Sequence, residues 1–184
     1  MRTLETERLR LRDFVADDWP AVGALLTNAE AVRYMHFAHW TTEQRQTWFS
    51  WCLENQRLAT PDAYNWAIVR KDSAELIGWF GIGTSSHPTV AGERDFGYLL
   101  ARAHWGHGYM TETLQAVLAY EFETLDTPCI TATCDTANPA SARVMEKAGM
   151  QRFQTVFDTD FEGNWAERHH YILPNPRHPD RLPS

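Results

Sequence analysis

No stretch of this 184-residue chain stays apolar for the roughly 20 residues that a membrane-spanning helix needs, so no membrane partner is expected. Residues Met1 to Arg12 alternate charge with leucine and hold no apolar core of the signal-peptide kind, which points to the cytoplasm. Cysteine is scarce. Cys52, Cys129 and Cys134 form no Cys-x-x-Cys pair, and an odd count fits a reducing compartment better than a disulfide framework. Positive charge is also short: 17 Lys and Arg face 24 Asp and Glu, a formal net charge of −7. The basic face of a nucleic-acid binder is therefore not expected. The same sign suits a cationic amine or a basic protein as partner, and equally suits plain solubility. No His/Cys/Asp cluster has metal-ligand spacing, so no metal is expected. Gly-Lys-Ser/Thr is missing, which excludes a P-loop, and Gly-x-Ser-x-Gly is missing, which removes the hydrolase elbow.

What is present is enough for a core: 43% of residues are hydrophobic and 22% charged. The length suits one domain, read as residues 1–173, followed by a loose Pro-rich tail at 174–184 with four prolines. Leu9, Leu11 and Phe14 predict a first strand, with Arg8, Arg10 and Arg12 on its other face. Asp17 reads as the cap of a helix reaching Thr27, with Pro20 in its first turn. Residues 28–41 are irregular and aromatic. Thr41 and Gln44 read as a capping box for a helix ending near Leu58. Strands are predicted around Trp66–Arg70, Leu76–Ile82, Arg94–Leu100, Cys129–Asp135, Arg152–Phe157 and Glu167–Leu173. Asn138-Pro139 starts a helix that Gly149 ends, and Glu162-Gly163-Asn164 joins the last two strands. The pattern is a mixed α/β sheet of about seven strands with about four helices, not a run of βαβ units.

The segment with the clearest chemistry is Tyr98-Leu99-Leu100-Ala101-Arg102-Ala103-His104-Trp105-Gly106-His107-Gly108-Tyr109-Met110. A strand runs into a Gly-x-Gly turn that opens a helix. Glycine lets backbone amides approach a ligand closely, and a helix start offers unpaired N–H groups to an anion such as a pyrophosphate. A dinucleotide fingerprint would need a third glycine where Thr111 stands. Gly78, Gly81 and Gly83 lie inside a predicted strand and read as strand glycines.

The stretch Asp95 to Thr113, with Gly97-Tyr98 and Trp105-Gly106-His107-Gly108-Tyr109-Met110-Thr111-Glu112, resembles motif A of the GNAT superfamily of N-acetyltransferases. Asn138, Ser141, Arg143, Val144, Glu146-Lys147 and Gly149 resemble its motif B. The opening Glu5-Thr6-Glu7-Arg8-Leu9-Arg10-Leu11-Arg12 is similar to the first strand of the ribosomal-protein N-terminal acetyltransferase (RimJ/RimL-like) branch. The resemblance spans about residues 4 to 173. It implies the GNAT fold, a central, mostly antiparallel twisted sheet, with acetyl-CoA as cosubstrate and a primary amine as acceptor. It implies that backbone amides of Trp105, Gly106, His107, Gly108, Tyr109 and Met110 hold the CoA pyrophosphate. By the same resemblance, the backbone of Tyr98, Leu99 and Leu100 pairs with the pantetheine arm. Asn138 bonds that arm, Ser141 sits near the sulfur, and Arg143, with Arg102, His107 and Lys147, is a candidate phosphate contact. Three positions depart from the family pattern: Ala103 for glutamine or arginine, Met145 for the tyrosine acid, and Met150 for phenylalanine.

Acetyl transfer needs a base more than an acid. About one alkyl amine in 2,500 is neutral at pH 7, and roughly 10% of protein α-amino groups are. A thiol with a pKa near 8.5 leaves acceptably as thiolate. Asp95 is the first candidate base, on the strand face of Gly97 and Leu99, and Glu93 on the same face is the second. With tyrosine absent at 145, the acid role passes to Ser141 or water. The acceptor is read as a protein N-terminal α-amino group, attacked directly in a ternary complex. A polyamine or antibiotic amine, and a non-catalytic acyl-CoA sensor, stay open. Phe37, Trp40, His87 and Trp165, on segments 28–41, 84–92 and 158–165, are candidate walls for the acceptor, or ordinary packing.

Overall fold

The computed structural model describes residues 2–61, 63–85, 88, 90–159 and 165–178. Among these, the elements run β1 (Thr3–Glu5), β2 (Leu9–Arg12), α1 (Trp19–Thr27), α2 (Ala29–Val32), α3 (Thr42–Asn55), β3 (Ala63–Arg70), β4 (Leu76–Thr84), β5 (Arg94–Leu100), α4 (Tyr109–Glu123), β6 (Cys129–Asp135), α5 (Pro139–Lys147), β7 (Gln151–Thr159) and β8 (Trp165–Pro174). The strands are hydrogen-bonded in the order β1-β2-β3-β4-β5-β6-β8-β7. The β5/β6 pair is parallel, while β1/β2, β2/β3, β6/β8 and β7/β8 are antiparallel. This is a mixed α/β fold with eight strands and five helices among the described residues, against the seven and four expected. The additions are short. β1 is three residues long, and α2 is a single turn capped by Asn28, whose side chain accepts from the Glu30 and Ala31 amides.

The chain divides into two compact units, Met1–Gly81 with Gly97–Tyr109, and Ile82–Phe96 with Met110–Ser184. In the first unit Thr6 closes the β1–β2 hairpin: its amide donates to Leu9 O at 3.0 Å and its hydroxyl accepts from Leu9 N at 2.9 Å. Alternation on β2 buries Leu9 and Leu11 completely. Asp18, not Asp17, precedes α1. Its carboxylate is turned away from the helix and grips Arg12 at 2.6 and 2.7 Å, which raises the Arg12 pKa. Thr41 and Gln44 form the expected capping box of α3. The core of this unit is aromatic: Phe14, Phe37, Phe49 and Trp79 pack with Val22, Leu26 and Leu99, and Trp48 lies edge-on to Phe37 and Trp79.

In the second unit β6 pairs with β8 along its whole length, from Cys129↔Pro174 to Asp135↔Arg168. Leu114, Val117, Ile130, Met145 and Tyr171 are all buried. Glu121 is buried as well. It accepts from Thr127 Oγ1 at 2.6 Å and lies 3.6 Å from Arg94 Nε; burial raises its carboxyl pKa in spite of that cation. Asn175, in the segment expected to be loose, is 1% exposed and bonds to Pro128 O and Thr127 O, both at 2.9 Å. Residues 179–184 and the turn at 162–164 lie outside the described residues.

Candidate active site

The first unit holds the Gly-x-Gly segment. Tyr98 stacks on Phe80 with centroids 6.1 Å apart, and Leu99 and Leu100 are buried. After β5 the chain turns sharply. Ala101 N donates to Ile77 O, and Arg102–His104 form a 3-10 turn. Trp105 Nε1 donates back to Leu100 O at 2.7 Å, and Arg102 lies 4.7 Å over the Trp105 ring. The Leu100 carbonyl, assigned by resemblance to a pantetheine arm, thus already receives one hydrogen bond.

Gly106 and Gly108 both have φ of +79°. An L side chain there costs about 1–2 kcal/mol, so the sequence needs glycine twice in three residues to make this turn. His107, between them, places Nδ1 2.8 Å from Trp105 O and stacks its ring on Tyr109. The turn leads directly into α4, whose first amides have no intrahelical acceptor. Two left-handed glycines just before a helix start leave backbone N–H donors suited to an anion. Met110 is 5% exposed, so its backbone rather than its side chain is what a ligand could meet.

One residue that the sequence placed only on the outer face of the first strand joins this turn. Arg8 Nη1 donates to His107 O at 3.0 Å, and its guanidinium sits 4.6 Å from the Tyr109 ring centroid. The signal was present in the Glu5–Arg12 motif, but the partner lies 99 residues further on.

The second unit holds the two carboxylates and the motif B cap. Asp95 is half-buried on β5, in register with Thr131 of β6. Glu93 is 3% exposed. It accepts from Thr131 Oγ1 at 2.8 Å and from Val90 N at 3.3 Å. Its backbone bonds Ser85 and Val90 as well, so Glu93 holds together the loop before β5. At the other end of β6, Asp135 Oδ1 accepts from Ala137 N, and Asn138 Oδ1 caps α5 by accepting from Ser141 N at 3.2 Å. That cap uses the Asn138 Oδ1 and not its Nδ2. The Ser141 side chain is half-buried and Arg143 is exposed. Gly149, at φ +95°, ends the helix as expected.

Met145 is 1% exposed and packs inward. Next to it, Glu146 accepts from the fully buried Tyr171 hydroxyl at 3.0 Å, and burial first, then this carboxylate, push that phenol up to about 12. The sequence reading did not single out this pair. Burial pushes the Cys134 thiol up to about 11, so it is a packing residue at neutral pH. Of the candidate acceptor walls, Phe37 is wholly buried, with Trp40 edge-on at 4.7 Å. Trp165 is 65% exposed and stacks on Phe157, and His87 lies outside the described residues.

Comparison with known proteins shows the family. The acetyltransferase (GNAT) domain family model matches residues 8–151. The uncharacterized N-acetyltransferase YoaA of Bacillus subtilis (strain 168) is 30% identical over 154 residues, 81% of this chain and 82% of that protein. The structure of RimL, a ribosomal L7/L12 α-N-protein acetyltransferase in complex with coenzyme A, superposes with a TM-score of 0.79 at 19% identity, covering 94% of this chain and 98% of that one. Spermidine N-acetyltransferase from Vibrio cholerae, in complex with CoA and spermine, gives 0.74 at 16% identity, covering 92% and 97%. At such identities the two structures speak for the fold alone. The family match over most of the length, joined to the two-glycine turn and the capped motif B helix, shows that the chain belongs to the GNAT acetyltransferases.

Proposed function

We propose that this acetyl-CoA-dependent N-acetyltransferase acylates the α-amino group at a protein N-terminus, by direct transfer in a ternary complex. The observation that carries the reading is the condition of the two carboxylates. Glu93 is buried and hydrogen-bonded into its loop, while Asp95, on β5, is half-buried in register with Thr131 and is taken as the base. A single half-buried aspartate suits an amine that needs little help. A protein α-amino group has a pKa of about 7.7–8.0, against about 10.4 for an alkyl amine. The α-amino acceptor named for RimL supports the same choice.

In this reading the amides of Trp105 to Met110 hold the CoA pyrophosphate, and the Tyr98–Leu100 backbone pairs with the pantetheine arm. Asn138 Nδ2 donates to a carbonyl of that arm, Arg143 meets a phosphate, Asp95 takes the ammonium proton through water, and the Ser141 hydroxyl steadies the departing thiolate. The net charge of −7 favours approach of a cationic acceptor.

The fold likeness to a spermidine N-acetyltransferase favours a second reading, a small polyamine acceptor. Thiol release from acetyl-CoA decides between them. The panel pairs peptides bearing a free N-terminus with the same peptides N-blocked but carrying lysine, and adds spermidine. Turnover confined to free N-termini is the expected result. Turnover only with spermidine replaces the acceptor, and acetyl-CoA binding without any turnover makes the chain a sensor.

A further inference from the structure

We propose that Arg8 is a positioning residue for the phosphate-binding turn, setting the direction in which the Gly108 amide points. The proposal rests on assigning the pyrophosphate to that turn. Arg8 Nη1 holds the His107 carbonyl at 3.0 Å. That carbonyl and the Gly108 N–H belong to one peptide unit, which is trans. In a trans peptide C=O and N–H point in opposite directions. Fixing the carbonyl toward Arg8 therefore turns the Gly108 N–H to the other side of the turn, and no protein acceptor meets that N–H among the described residues.

One further contact keeps the guanidinium in place. It lies 4.6 Å from the Tyr109 ring centroid, and the His107 ring stacks on the same Tyr109 at 5.6 Å. A Cβ at Gly108 would lie 3.6 Å from Arg8 Nη2, an ordinary contact, so the Arg8 fork packs directly against this glycine. A cation on the carbonyl also polarises the peptide and makes its N–H a stronger donor. Arg8 thus prepares a donor for an anion from the carbonyl side of the peptide. The planar fork matters here as much as the charge, because it is the fork that fixes the peptide plane.

The test separates the phosphates from the rest of the ligand. Dissociation constants are measured for acetyl-CoA, 3′-dephospho-acetyl-CoA and S-acetylpantetheine on wild type, Arg8→Met and Arg8→Lys. Arg8→Met should weaken acetyl-CoA and the 3′-dephospho form alike, by about tenfold, the worth of one charge-assisted hydrogen bond. S-acetylpantetheine should stay within about twofold. Arg8→Lys keeps the charge without the fork and should show about a threefold loss on the same two ligands. A loss spread equally over all three ligands would mean general damage to the fold and would overturn the proposal, as would unchanged affinity in both variants. If wild type binds acetyl-CoA no tighter than S-acetylpantetheine, the pyrophosphate assignment itself fails, whatever the variants do.

Discussion

Gly106 and Gly108 offer a matched pair of perturbations. Both have φ of +79°, so alanine at either position carries the same backbone strain, about 1–2 kcal/mol. For a chain of this size each kcal/mol moves the melting temperature by roughly 2–4 °C, so each apo variant should melt about 2–8 °C below wild type. The two differ in what the new methyl meets. At Gly108 it lies 3.6 Å from Arg8 Nη2, an ordinary contact on the carbonyl side of the turn. At Gly106 nothing lies within 4 Å, so the methyl stands in open space and would compete with an anion proposed to bind the turn's amides. Acetyl-CoA at 100 times its Kd should stabilise wild type by about 2.7 kcal/mol, a shift of roughly 5–11 °C. Gly106→Ala should lose most of that shift, and Gly108→Ala a smaller part. Differential scanning fluorimetry with and without acetyl-CoA reads all four numbers. Two variants with lowered apo stability but full ligand shifts would refute the placement of pyrophosphate on this turn.

Asp95→Asn should keep acetyl-CoA affinity and lower kcat about 10²-fold at neutral pH, with the deficit shrinking as pH rises and the amine deprotonates unaided; a pH–rate profile near wild type at pH 7 would exonerate Asp95. Ser141→Ala should slow turnover by about tenfold or less, and a thousandfold loss in a thiol-release assay would show a dedicated acid at that position. Glu121 has a raised folded-state pKa, so its contribution to stability is fully present below its unfolded value near 4.3 and is lost as pH rises through the folded value. Glu121→Gln should therefore remove a decline in stability on the alkaline side of pH 4.3, measured by urea melts across pH, and an unchanged slope would refute a Glu121 carboxyl raised by burial.

What the sequence disclosed was local. Thr41 with Gln44, Asn138 before Pro139, and Gly149 all act within four residues of themselves, and each stands where the local chemistry puts it. The turn at Gly106 and Gly108 was legible for the same reason, since a left-handed conformation writes itself as glycine. β1 was missed because three residues carry too little alternation to register; the hairpin with β2 decides it. Long-range partners stayed hidden. Arg8 reads as one more arginine on a strand face until His107 is brought to it, and Glu93 reads as a free carboxylate until Thr131 arrives from 38 residues away. Asn175 looked like tail for want of its contact with Thr127. The aromatic residues at 37 and 40 were ambiguous because a core and a ligand wall use the same side chains; burial assigns Phe37 to the core.

The loss of the family's tyrosine acid at Met145 becomes intelligible when the proton transfers are put on one scale. Met145 is buried and supplies packing, not a proton. At pH 7 a thiolate with a conjugate pKa near 8.5 gains a proton from water with a driving force of about 2 kcal/mol, so a dedicated acid adds little. The amine side is different. Freeing an α-amino group from its proton costs about 1.2 kcal/mol at pH 7, and freeing an alkyl amine about 4.6 kcal/mol. A well-placed general base is worth about 10²–10⁴ in rate, or roughly 3–5 kcal/mol. An α-amino acceptor therefore leaves a wide margin even for a carboxylate with a low pKa acting through water, whereas an alkyl amine would take up nearly all of it. Glu93 is tied to Thr131 and Val90, and the proposed base, Asp95, would then face the easier of the two deprotonations. In the proposed function the acceptor and the missing acid are two sides of the same proton balance: methionine at 145, with Asp95 as the proposed base, would match an amine already close to neutral.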